Sequence, residues 1–132
     1  MRQIIKNDEK SLEYFNKSIE VDPNNDFGYN RRASLYFSLG EYDKSIKDID
    51  KAIEINPNNA EHYRLKGDYY KELNEIDLAV DSYIKATETE PQEVEYLEIL
   101  AKLYHYTNQE IDKALFYYSK VIEIKPNDVE TY

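Results

Sequence analysis

Proline recurs at positions 23, 57, 91 and 126, at intervals of 34, 34 and 35 residues, each time in a similar frame. Val21-Asp22-Pro23-Asn24-Asn25 returns as Ile55-Asn56-Pro57-Asn58-Asn59, then as Thr89-Glu90-Pro91-Gln92-Glu93 and Ile124-Lys125-Pro126-Asn127-Asp128. Self-similarity at a period in this range marks a repeat architecture, in which each unit is one supersecondary element that buries its apolar face only against its neighbours. The extra residue of the last interval falls in Thr107-Asn108-Gln109-Glu110, read as a turn where an insertion disturbs no helix.

Between prolines each unit divides in two. Tyr29, Ala33, Tyr36 and Phe37 recur at three and four, the helical period, and predict a helix over 26–39. Gly40 follows, a residue that adopts the left-handed conformation closing a helix. A second helix, about 42–55, carries Tyr42, Ile46, Ile49, Ala52 and Ile53 on its inward stripe. Pro57 bars its continuation, and Asn58 or Asn59 is placed to cap the next helix. The same pattern predicts helices near 60–73, 76–89, 93–107 and 111–124, with a half unit over 8–21 carrying Leu12, Phe15 and Ile19.

The units resemble the tetratricopeptide repeat, over essentially the whole chain. That repeat combines aromatic or bulky residues with small ones at fixed offsets and ends on proline. The second unit offers Tyr29, Ala33, Tyr36, Ser45, Ile49, Ala52 and Pro57; the third offers Tyr63, Gly67, Tyr70, Ala79, Tyr83, Ala86 and Pro91. The fourth offers Leu97, Ala101, Tyr104, Ala114, Tyr118, Val121 and Pro126, and the N-terminal half unit Ser11, Phe15, Ser18 and Pro23. Small residues let paired helices approach closely while the aromatics fill the space around the contact. Arg32 and Lys66 replace the family's usual Leu and are expected to snorkel, laying their stems on apolar surface with the charge in water.

The resemblance implies an all-α fold, a right-handed α-α superhelix of antiparallel helix pairs. Its expected organisation is one solenoid over 1–132: a partial repeat 1–25, repeats 26–59, 60–93 and 94–128, and the start of another at 129–132. A chain entering and leaving inside helices is expected to be an excerpt of a longer array, or a protein whose ends pair with something.

In this family the first helix of each pair lines a concave groove. Carried over by register, the second unit contributes Phe27, Asn30, Ser34 and Phe37 to a peptide-binding face. The third contributes Arg64, Asp68 and Lys71, and the fourth Glu98, Lys102, His105 and Tyr106. The expected function is a scaffold or adaptor holding a protein or peptide partner in that groove, with Asn30, Arg64 and Lys102 anchoring carboxylates or backbone carbonyls. The family's clamp for acidic chaperone tails is missing, because Asn30, Ser34, Leu65, Glu95 and Ile99 stand where it needs Lys, Asn and Arg. The alternative is self-association through uncapped repeat faces, Leu115, Tyr118 and Ile122 of one copy meeting Ile4, Ile5, Leu12 or Phe15 of another, head-to-tail or as a dimer.

Composition narrows the partners. The chain has 17 basic and 27 acidic residues, a net charge of −10, which argues against nucleic acid and anionic membrane surfaces. On the predicted first helices the charges sum to zero, so the excess acidity is assigned to the second helices, turns and tails. There is no Cys for thiolate chemistry. No signal-peptide core opens the sequence, and cytoplasm is the default expectation. None of the serines sits in a Gly-x-Ser-x-Gly turn, there is no phosphate loop, and no enzyme activity, metal or cofactor is expected. His62 and His105 lack metal-type spacing and are expected on solvated helix faces, as are the abundant carboxylates. Eight tyrosines (29, 36, 63, 70, 83, 104, 118 and 132) fall where the repeat requires bulk. Tyr14, Tyr69, Tyr96, Tyr106 and Tyr117 are left free for other work.

Overall fold

The computed structural model describes residues 6–108 and 110–125. Ile4, Ile5, Gln109 and the stretch 126–132, with the expectations attached to them, lie outside the described residues. Among the described residues seven α-helices follow one another: α1 Lys6–Val21, α2 Asp26–Ser38, α3 Tyr42–Ile55, α4 Ala60–Glu72, α5 Ile76–Thr89, α6 Val94–Leu103 and α7 Ile111–Ile124. Among the described residues there is no strand. Helices pack on their neighbours along the chain, most extensively within the pairs α2/α3, α4/α5 and α6/α7, which is the arrangement of an all-α solenoid.

The Asp/Asn-Pro-Asn-Asn frame does two jobs. The Asp22 and Asn56 side chains accept from the backbone N–H of Asn24 and Asn58, at 3.2 and 3.3 Å, folding the turn. Asn25 and Asn59 then cap the next helix, accepting from Gly28 N at 3.3 Å and Glu61 N at 3.1 Å. In the third frame Glu90 and Glu93 replace these residues, and α6 begins without a side-chain cap.

In the α2/α3 and α4/α5 pairs the link contains a left-handed residue, Gly40 at φ 82° and Asn74 at φ 62°. It lets Glu41 N–H reach Tyr36 C=O at 2.9 Å and Glu75 N–H reach Tyr70 C=O at 2.8 Å. In the fourth unit the equivalent bond runs from Glu110 N–H to Tyr104 C=O at 3.1 Å, with one more residue enclosed. The insertion is therefore not confined to a turn. It is taken up as a π-helical turn, Tyr104–Asn108, at the end of α6, corrected against the expectation of an undisturbed helix.

The core is strung along the stack. Ala33, Ile49, Ala52 and Tyr69 form one buried cluster, Ala79, Val80, Tyr83, Leu100, Leu103, Tyr104 and Ala114 another, and Val94, Leu97 and Val121 a third. Close approach is achieved by small residues: Ser45 is fully buried, and its hydroxyl donates to the Ala33 carbonyl at 2.8 Å. Arg32 does not snorkel. Its guanidinium donates to both Asp48 carboxylate oxygens, at 2.7 and 2.8 Å, and to Asn16 Oδ1 at 2.9 Å, tying α1, α2 and α3 together. The hydrogen bonds to the nearly buried Asp48, against the opposing effect of burial, raise the Arg32 pKa. Asp48 is thus an internal partner rather than part of a solvated face. Lys66 likewise pairs with Asp50 at 2.7 Å instead of reaching water unpartnered.

Candidate functional site: the face of α2, α4 and α6

The first helices of the three pairs lie side by side. Between α2 and α4 their facing side chains are occupied with one another. Asn30 Nδ2 donates to His62 Nδ1 at 2.9 Å, and His62 Nε2 donates to Asp26 Oδ2 at 2.8 Å. Asn56 Nδ2 also donates to Asp26, at 3.3 Å. This pattern fits the imidazole tautomer carrying its proton on Nε2. His62 is fully buried and Asn30 nearly so, which corrects two expectations: His62 is not on a solvated face, and Asn30 is not available to anchor a ligand.

Burial raises the Asp26 pKa, but the bonds from His62 and Asn56 outweigh it and leave the carboxyl below its ordinary value. An unfolded Asp titrates near 3.9, above the folded group. The stabilisation from this network is therefore full above about pH 4 and disappears as pH falls through the folded pKa. Acid titration followed by circular dichroism is expected to show this loss, and Asp26→Asn to show a smaller one over the same range.

Farther along, Ser34 Oγ and Tyr69 OH share a hydrogen bond of 3.0 Å, and Phe37 stacks on Tyr69 with ring centroids 4.5 Å apart. Tyr69 is buried and closes the α2/α4 interface, so it is not among the free tyrosines. Ser34 and Phe37 seat it. Arg64 is committed as well, to Asp68 at 2.7 Å and Glu61 at 3.4 Å. Asp68 also accepts from the hydroxyl of the fully buried Tyr83. Burial first, and then the bond to Asp68, push the Tyr83 hydroxyl well above the ordinary tyrosine range. Phe27 is exposed, with the Arg31 guanidinium 4.6 Å over its ring.

The α4/α6 side differs. Lys71, Ile99, Lys102, Leu103 and Tyr106 line an open pocket of about 230 Å³. Ile99 and the buried Leu103 provide apolar surface, and Tyr106 is 74 % exposed. His105 stacks on Tyr106 with ring centroids 4.6 Å apart and 12° between planes, and meets Tyr118 edge-on at 6.5 Å. Lys71 and Lys102 are exposed and form no ion pair among the described residues, and Glu98, half-buried on α6, forms none there either. Of the sequence-predicted residues, Lys71, Lys102, His105 and Tyr106 thus gather at one place. Asn30, Ser34, Phe37, Arg64 and Asp68 serve the packing of the repeats.

Tetratricopeptide repeat models match residues 27–59, 49–81, and both 3–25 and 94–128. The chain belongs to the tetratricopeptide repeat family. Comparison with curated proteins gives no match. Among solved structures the fold is similar to a crystal structure of MamA protein, at 22 % identity and TM-score 0.80, covering 93 % of this chain and 67 % of that one. A second MamA crystal structure aligns at 22 % identity and TM-score 0.74, covering 98 % and 80 % respectively. MamA 41-end from Desulfovibrio magneticus RS-1 aligns at 18 % identity and TM-score 0.77, covering 92 % and 68 %. At these identities the likeness concerns the fold. Stacked tetratricopeptide repeats are protein-interaction scaffolds, whose extended curved surfaces serve for binding. Among the described residues no helix is long and apolar enough to cross a membrane, and no three His, Cys, Asp or Glu side chains converge as metal ligands.

Proposed function

We propose that this protein is an adaptor that holds a peptide or helical segment of a partner protein in the groove formed by α2, α4 and α6. One observation carries the reading. Asn30, Ser34, Phe37, Arg64 and Asp68 are engaged in internal contacts, whereas Lys71, Lys102 and the exposed Tyr106 surround an unfilled pocket with apolar walls. Exposed aromatic and cationic groups at an apolar concavity are the elements that orient a docked segment. The formal charges of α2, α4 and α6 cancel, whereas α3, α5 and α7 together are net negative, which supports a groove less acidic than the opposite side. The function is binding, and no catalytic step is assigned. Affinity capture with wild type and with Lys71→Glu/Lys102→Glu, read by mass spectrometry, tests it. Partners retained by wild type and lost by the double variant support the groove; an unchanged set of partners removes it.

A second reading rests on α7, where Ile111, Leu115 and Ile122 are about half exposed along one face. An apolar stripe of this kind suits self-association, head-to-tail or as a dimer. Light scattering decides this reading: growth of mass with concentration supports it, and a constant mass of 15.7 kDa eliminates it.

A further inference from the structure

We infer that the α4/α6 pocket is specific for an acidic–aliphatic segment: a leucine-sized side chain flanked in sequence by Asp or Glu. The inference rests on the groove reading and adds the chemistry of what enters. Three observations point to it.

The first is charge. On a chain of net charge −10, Lys71 and Lys102 are cations with no carboxylate of the described residues within ion-pairing distance, on α4 and α6 at the rim of one pocket. Arg64, on the same face, is already neutralised by Asp68 and Glu61. Incoming carboxylates meet two ammonium donors without displacing an internal pair, and such charge-assisted bonds strengthen as the pocket is covered.

The second is the lining. Ile99 and Leu103 stand one helical turn apart on α6, and Tyr106 follows them. Their surfaces surround a volume of about 230 Å³, suited to a single aliphatic side chain, and its removal from water supplies the part of the affinity that charge does not. A purely ionic ligand leaves the exposed Tyr106 ring and the partly exposed Ile99 uncovered. A purely apolar one leaves the ammonium groups at the rim without partners.

The third is the backbone. Tyr106 lies within the π-helical turn Tyr104–Asn108, created by the one-residue insertion that the other spacings lack. The turn closes α6 rather than interrupting it, and it carries Tyr106 three residues beyond Leu103. Here the turn holds Tyr106 at the pocket, with its ring backed by His105. In the two preceding units the same closing bond is made without the extra residue, so closing the pair does not require it.

The test uses the whole chain, isotopically labelled, titrated in nuclear magnetic resonance with N-acetylated, C-amidated hexapeptides. Amidation removes the terminal carboxylate, so a response reports side chains. The probe is Glu-Asp-Leu-Leu-Asp-Glu. Its controls replace the acids by Gln and Asn, replace both Leu by Ser, or replace the acids by Lys. At millimolar peptide the probe is expected to shift Lys71, Ile99, Lys102, Leu103 and Tyr106. Each control, and Lys71→Gln/Lys102→Gln protein with the probe, is expected to bind at least about tenfold more weakly. Absence of shifts with the probe, or equal binding of the Gln/Asn peptide, overturns the inference. If the Lys peptide alone shifts residues of α2, α4 and α6, the specificity is wrong while the groove reading survives. Shifts confined to α3, α5 and α7 sink both.

Discussion

Gly67→Ala is expected to destabilise the protein by about 3 kcal/mol, a large loss for one added methyl group. A Cβ at this position falls 2.6 Å from Tyr83 Cε1 and 2.8 Å from Cδ1, well inside van der Waals contact. The obstacle is a ring rather than the end of a flexible chain. Tyr83 is fully buried, and its hydroxyl is held by Asp68, which is held in turn by Arg64. The ring has little freedom to retreat. One repeat earlier the same two places carry Ala33 and Ile49, both fully buried, so the extra carbon at one is accommodated by the smaller side chain at the other. Gly67→Ala combined with Tyr83→Ile copies that arrangement and is expected to recover part of the loss. In a double-mutant cycle from chemical denaturation, a coupling of at least about 1 kcal/mol is predicted. Additive effects contradict the packing account. Gly28→Ala is the control: its Cβ lies 3.2 Å from Ile19 Cγ1, a contact that a small shift relieves.

His62→Ala is expected to cost a similar amount, about 3 kcal/mol, for a different reason. The substitution empties the volume of a fully buried ring and strips Asn30 and Asp26 of the partner that joins them. These bonds connect the start of α2 to α4, so the loss falls on the interface between successive repeats rather than within one pair. His62→Gln retains polar groups and is expected to lose less. In the alanine variant Asp26 no longer has the hydrogen bond that lowers its pKa most. Its stability is therefore expected to depend less on pH below about 4 than that of wild type. Urea denaturation at pH 3 and pH 7 checks both statements. A variant as stable as wild type, or one with an unaltered pH dependence, contradicts the role of the network.

The helices and the pairing were legible in the sequence because each repeat restates the same signals. Pro23, Pro57 and Pro91 mark the ends, Asn25 and Asn59 cap the following helices, and Gly40 predicts the left-handed linker. Asn74 takes the same conformation without glycine, a substitution Asn tolerates because its short polar side chain bonds locally. Side-chain commitments were less legible, since a single repeat unit does not reveal what the next one presents. His62 occupies the register of Gly28 and Tyr96, and only its flanking partners one repeat away, Asp26 and Asn30, signal burial. Arg32 and Asp48 meet across sixteen residues, a spacing outside local helical pairing. The candidate site was half legible. Register assigned Lys71, Lys102, His105 and Tyr106 to the first-helix face, but the same rule assigned Asn30, Ser34 and Arg64, which the repeats use for themselves. Register reports which way a residue points, not whether its hydrogen-bonding capacity is already spent. The insertion was visible as a count of 35, yet its conversion into a π turn depended on keeping the closing bond from Glu110 to Tyr104.

The role of the first-helix face is tested most directly by measuring the affinity of a captured partner by calorimetry for wild type and two charge-reversed proteins. Lys71→Glu/Lys102→Glu alters the α4/α6 pocket, and Lys47→Glu/Lys51→Glu makes the same change in charge on α3. With helical content matched by circular dichroism, the first pair is predicted to weaken binding about a hundredfold, roughly one order of magnitude per lost ionic contact. The second is predicted to stay within about threefold of wild type. Equal losses from both, or a larger loss from the α3 pair, contradict the account.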